Sequence, residues 1–187
     1  MPRNRERKPS KRMKQVFLVF CEGDTEECYV QELRQRYRAP IEIKPVRRGQ
    51  AITNDFVRRE IENTKISRGD NIETFLMYDF DVPAVNAKLS KCPGINICSN
   101  PCVELWFLLH SQDQTCALRS DICVEALQKS SSEWNSYRKV RLSNLQKDLL
   151  WNNRAEAMRR AKSLRTPGNP STEVYKLLES IEQSLQQ

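Results

Sequence analysis

Three carboxylates stand where a chain could hold a hard cation. Glu22 follows an apolar run, Val16-Phe17-Leu18-Val19-Phe20-Cys21, and is followed at once by Gly23. Asp79 and Asp81 close a second run, Thr74-Phe75-Leu76-Met77-Tyr78, with one residue between them. In an extended segment residues i and i+2 share a side, so these two charges repel unless a proton or cation separates them. Mg²⁺ suits such a place, because it takes one or two carboxylates, keeps waters and polarises a phosphate ester. Each acid also has a plain reading. Glu22 can be a solvated loop acid, Asp79 a strand end, and Asp81 the cap of a helix opened by Pro83.

These acids converge only if the two runs are neighbouring strands. Strands are expected over 16–21, 41–46, 74–78 and 95–98, with a helix over 25–37, another carrying Ile52, Phe56, Val57 and Ile61, and a short one over 83–91. Strands separated by helices imply β-α-β units and a mostly parallel sheet. Ligands of such sheets sit beyond the carboxyl ends of the strands. With the first and third strands adjacent, Glu22, Asp79 and Asp81 share one pocket. Asp24-Thr25-Glu26-Glu27 has capping-box spacing, which explains Asp24 and Glu27 by the helix start alone.

After Pro101 every strong pattern is helical. Asn100 and Pro101 are suited to cap and open a helix. Glu104 would then sit one turn in, among Leu105, Trp106, Leu108 and Leu109, needing either a buried partner or a site to serve. Asn100 and the amides of that helix start are candidates to hold a phosphate oxygen, and His110 fits a C-terminal cap. The last helix carries Val174, Leu177, Leu178, Ile181 and Leu185, with Ser171 or Asn169 as cap. This divides the chain into a basic arm at 1–15, an α/β core at 16–110 and a helical extension at 111–187.

Charge placement says more than the total of +7. Residues 1–15 hold seven Lys or Arg against one Glu, residues 16–137 sum to −4, and residues 138–168 hold nine basic and two acidic residues. Basic segments suit an anionic partner such as nucleic acid. Arg47, Arg48, Lys139 and Arg141 are candidate phosphate contacts, and Tyr137 or Trp134 could stack a base. The same residues also read as solvated surface with aromatics turned inward. No run is long enough to span a membrane and no secretion signal is recognisable, so a cytoplasmic protein is expected. Seven cysteines without a CxxC pair and one histidine, His110, argue against zinc and for reduced thiols.

Several of these segments together resemble a known family. Cys21-Glu22-Gly23-Asp24-Thr25-Glu26, then Asp79-Phe80-Asp81, then Ser99-Asn100-Pro101-Cys102-Val103-Glu104-Leu105-Trp106-Phe107-Leu108-Leu109-His110 resemble RloB-like proteins. Tyr137-Arg138-Lys139 and Asn169-Pro170-Ser171-Thr172 continue the likeness, which covers nearly everything after residue 15. This family is related to the Toprim fold and occurs in prokaryotic defence loci. The resemblance implies a Toprim-like Rossmannoid α/β fold, a mostly parallel four-stranded sheet with flanking helices, plus a C-terminal helical extension.

It also implies a Mg²⁺-dependent (or Mn²⁺-dependent) phosphodiester enzyme. Glu22 would do acid/base work, Asp79 and Asp81 would bind metal with Glu22, and Glu104 is a further catalytic candidate. Where family members often carry another acid soon after the DxD, Val82-Pro83 stands here, so the number of metals stays open. Topoisomerases and primases need large domains that this chain lacks, which favours hydrolysis of RNA or DNA by a defence effector. An ATPase of the ABC or AAA type is the partner that the family suggests, and homo-oligomerisation stays open. The alternative is a non-catalytic nucleic-acid-binding or regulatory subunit of an ATPase-containing complex.

Overall fold

The structure is a computed structural model, described here for residues 15–38, 41–64 and 71–186. The basic arm lies outside the described residues, apart from Gln15.

Strand β1 (Gln15–Cys21) is buried along almost its whole length. That follows from an unbroken apolar sequence, which suits a strand covered on both faces. Phe17, Val19 and Cys21 enter one core cluster, Leu18 and Phe20 the other. Helix α1 (Asp24–Arg36) returns the chain to β2 (Ile41–Arg47), and α2 (Asn54–Thr64) leads to β3 (Asn71–Met77). Helix α3 (Pro83–Leu89) leads to the short β4 (Ile95–Asn96). All pairings are parallel, in the order β2-β1-β3-β4, so the first and third strands are neighbours at the centre. Pro45 is tolerated because β2 is an edge strand.

Three expected helix starts move. Ile52 lies ahead of α2, after a 3-10 turn at Gly49–Ala51, and is buried from that loop. Ser99 and Asn100 do not open a helix; they form β5 (Ser99–Asn100), antiparallel to β6 (Ser171–Thr172). Neither Ser171 nor Asn169 therefore caps the last helix, α8 (Tyr175–Ser184), whose N-cap is Val174. Leu185 lies at its end and is exposed rather than core.

The second half of the chain packs on the face of the sheet that carries Phe17 and Val19. Helix α4 (Glu104–Leu108) is wholly buried there, surrounded by α5 (Ser120–Ser130), α6 (Asn144–Asn152), α7 (Arg154–Ser163) and α8. Phe107 is the hub, stacked on Trp134 and touching Tyr29 and Tyr137 edgewise or tilted. Strands from the first half and helices from the second contribute to one continuous apolar cluster.

Candidate active site

The register of the sheet builds the site. Cys21 pairs with Met77, so β1 and β3 end level, and the Glu22 N–H extends the ladder to the Met77 carbonyl at 3.1 Å. Glu22 Oε2 then accepts the backbone N–H of Asp79 at 2.9 Å. Asp79 in turn accepts the Val103 N–H on Oδ1 at 2.9 Å. Val103 is the residue before α4, so the acid ending β3 holds the start of the helix that begins with Glu104. That amide is already satisfied by a carboxylate. It is therefore engaged rather than open to a phosphate oxygen, and Asn100 pairs in β5 with its side chain on the Pro167 carbonyl at 3.4 Å.

The capping box at α1 is shifted by one residue. Gly23 is the N-cap and Glu26, not Glu27, reaches back to accept the Gly23 N–H at 3.0 Å. This turns Glu26 inward, where it is 6% exposed. The sequence carried the signal, because Gly23 and Glu26 are three apart, yet Asp24 is the more usual cap and diverted the frame. Asp24 remains outside and pairs with Arg47.

Four carboxylates, Glu22, Glu26, Asp79 and Glu104, are thus near enough to act on one another's charge. Burial, then the charges of Glu26, Glu22, Glu104 and Asp81, push Asp79 up to about 9. Glu26 is raised by burial and by Glu104 and Glu22, against the pull of its backbone hydrogen bonds. Glu104 is fully buried. Its Oε1 accepts the Tyr137 hydroxyl at 3.0 Å and lies 3.5 Å from Lys139 Nζ, while Oε2 has no partner. Tyr137 is held well above the usual phenol range by burial and by Glu104, so it remains a donor.

Residues 138–141 reach the site from the second half of the chain. The Val140 N–H donates to Thr25 Oγ1 at 3.0 Å, tying this segment to the start of α1. Val140 takes a positive φ of 88°, costly for a β-branched residue and held here by that bond. The result places Lys139 over Glu104, with Arg138 and Arg141 exposed beside a cavity of about 540 Å³.

The remaining candidates separate. Asp81 is exposed on the turn after Asp79, so the pair is not carried on an extended strand and Glu26 takes the inner place expected for it. Tyr137 and Trp134 are 1% and 0% exposed, sealed against Phe107, and offer no face to a base. Arg47 is occupied by Asp24 and by Glu27 at 3.8 Å. Arg48 lies over the Phe56 ring at 4.4 Å. His110 donates Nδ1–H to the Trp106 carbonyl at 2.8 Å, a helix-end bond, and burial pulls it down to about 3.

Among the described residues no three His, Cys, Asp or Glu side chains surround one point closely enough to ligate a metal together. The donor set nevertheless fits a hard cation. It is made of carboxylate oxygens, one of them orphaned in the interior, under mutual repulsion, and Mg²⁺ needs only one or two protein carboxylates beside water.

A four-stranded parallel α/β sheet with acids gathered at the carboxyl edge of its two central strands defines the class of protein. The sequence profile of the RloB-like protein family matches residues 17–181, and the chain belongs to that family. Searches of curated proteins and of solved structures found no match. No described helix is long and apolar enough to cross a membrane.

Proposed function

We propose that this RloB-like chain is a Toprim-related, Mg²⁺-dependent nuclease that hydrolyses phosphodiester bonds in RNA or DNA as an effector of prokaryotic antiviral defence. One observation carries the reading: at the carboxyl edge of the central strands, burial together with the charges of Glu26, Glu22 and Glu104 pushes Asp79 up to about 9. Acids held near one another out of water repel, and a cation or a shared proton relieves that repulsion.

Asp79 and Glu22 would hold the cation, with Asp81 joining from the turn. Bound Mg²⁺ or Mn²⁺ would withdraw charge from the phosphate oxygens and orient the ester. Glu22 is the acid/base group, since the Asp79 N–H fixes one of its oxygens and leaves the other for proton transfer. Glu104 is kept in place by Tyr137 and Lys139. Lys139 with Arg138 and Arg141 would position the phosphate backbone.

A second reading has its own support. Glu104 is spent on Tyr137 and Lys139, and Arg47 on Asp24, as in a structural acid network, which suits a binding or regulatory subunit of an ATPase-containing complex. Purified protein with Mg²⁺ or Mn²⁺ and labelled single-stranded RNA and DNA separates the two. Cleavage that disappears in Glu22→Gln and in Asp79→Asn supports the nuclease; salt-sensitive binding without turnover supports the subunit.

A further inference from the structure

We propose that the cavity on the other side of the Asp79 turn is a pocket for one unpaired nucleobase of the bound strand. The proposal rests on the nuclease reading for its substrate class, nucleic acid, but not on cleavage itself.

The cavity measures about 280 Å³ and lies between α3, β4 and the segment leading into β6. It is a neighbour of the acids by covalent connection. Phe80, in its wall, follows Asp79, about 3.8 Å of backbone away, and its N–H is bonded to the Ser99 carbonyl at 2.7 Å. The proposal sets the phosphate of the strand at Asp79 and one of its bases in this opening.

The lining decides the kind of occupant. Phe80 is 38% exposed, an unusual place for a phenylalanine, and with Leu89 and Pro167 it makes the walls largely apolar. Set into them are the side-chain amides of Asn86 and Asn96, whose Oδ1 atoms are buried without any hydrogen-bond partner. Two acceptor oxygens left unpaired in one wall are costly, and a turn of either side chain toward the cavity would let an occupant donate to it. The one charged group there, Glu173, is paired with Lys176. Among the described residues no Arg or Lys lines the cavity, so a phosphate would find no counter-charge there. A flat, neutral ring with donors and acceptors along its edge matches all of this. The aromatic face supplies stacking, and the amides read an edge.

The test uses the full chain carrying Glu22→Gln, to prevent turnover, and a short fluorescent oligonucleotide in two forms, with bases and fully abasic. Affinity is read by anisotropy. The base-containing strand should bind more tightly than the abasic one, and Phe80→Ala should remove about 5- to 100-fold of affinity for the former, the worth of one stacked base. Affinity for the abasic strand should not change. Asn86→Leu and Asn96→Leu should weaken binding and flatten the preference among A, C, G and U oligomers. Phe80 is on an exposed turn, so its variant keeps the fold, which circular dichroism verifies. Protection of the Phe80 ring resonances by adenosine monophosphate gives a second reading that needs no variant.

If the wild type cleaves while all three variants bind both strands like their parent, the pocket is refuted and the nuclease survives. Base-dependent binding lost in Phe80→Ala without cleavage by wild type keeps the pocket and removes the nuclease. Equal binding of base-containing and abasic strands by the parent refutes the pocket outright.

Discussion

The carboxylate of Glu22 accepts the backbone N–H of Asp79 at 2.9 Å, so the acid ending one central strand is clamped to the main chain of the acid ending the other. This bond converts a sheet register into a fixed distance between two charges. Asp79 passes the constraint on through Val103 to α4, and Glu104 follows.

Glu22→Gln keeps an oxygen able to accept the Asp79 N–H but loses the charge. The fold should persist while cleavage in Mg²⁺ falls by about 10²- to 10⁴-fold, the usual worth of a positioned acid/base group. Single-turnover assays on labelled oligonucleotides measure it. A fall under tenfold would remove Glu22 from the chemistry.

Asp79 makes metal-free stability depend on pH. Its folded pKa, about 9, lies above the ordinary carboxyl value, so the folded chain keeps a proton that the unfolded chain has released. Stability contributed this way is complete below about pH 4 and declines as pH rises toward 9. Between pH 6.5 and 8, thermal melts with EDTA should therefore fall with rising pH. Asp79→Asn should flatten that slope and melt higher than wild type at pH 8, and millimolar Mg²⁺ should raise the melting temperature of wild type alone.

His110 gives a slope of opposite sign. It is the single histidine, 2% exposed, and burial with the charge of Arg160 holds it down at about 3. Unfolded, it takes up a proton near pH 6.5. The stability it permits is present above that value and is lost as pH falls toward 3, by up to about 1.4 kcal/mol per pH unit. Urea unfolding of wild type and His110→Phe at pH 7.5, 6.0 and 5.0 should show the wild type losing more.

Tyr137→Phe removes the hydroxyl from Glu104 and leaves the ring in its contacts with Phe107 and Trp134. A buried carboxylate losing a donor costs about 1–3 kcal/mol. Chemical denaturation should register that loss, with kcat reduced and KM little changed. Tyr137→Ala should cost more, about 3–5 kcal/mol, as a large core ring is lost.

Lys139, Arg138 and Arg141 should act on the nucleic-acid backbone. Each Ala substitution should weaken binding uniformly across sequences and lower the slope of log affinity against log salt by about one. Lys139→Ala should in addition lower stability, because it removes the cation paired with the buried Glu104 carboxylate.

Much of the architecture was legible before any coordinates. The apolar run at 16–21, of strand length and with no polar alternation, pointed to a strand covered on both faces, and its abrupt end at Glu22-Gly23 to the ligand edge of a parallel sheet. The neighbourly placement of Glu22 and Asp79 needed one thing more, the adjacency of β1 and β3, which joins distant segments and is given by the sheet order. The Asp24 frame was preferred for the α1 cap because local preference favours Asp over Gly. Gly23 won because the extended backbone there lets Glu26 reach back and be buried in the acid cluster.

Other features depended on contacts between distant segments, which local sequence does not encode. Pairing of Ser99-Asn100 with Ser171-Thr172 joins residues about seventy positions apart and displaces both expected helix starts. Burial of Tyr137 against Phe107, and the hold of Thr25 on Val140, decide that an apparent base-stacking tyrosine instead supports Glu104. The chain by itself determined which acids end the strands, because strand length and hydrophobic period are local. Only the tertiary structure decided that Glu26 rather than Asp81 completes the inner cluster. A side chain's partners depend on where a turn sends it, and the turn at Phe80-Asp81 sends Asp81 out.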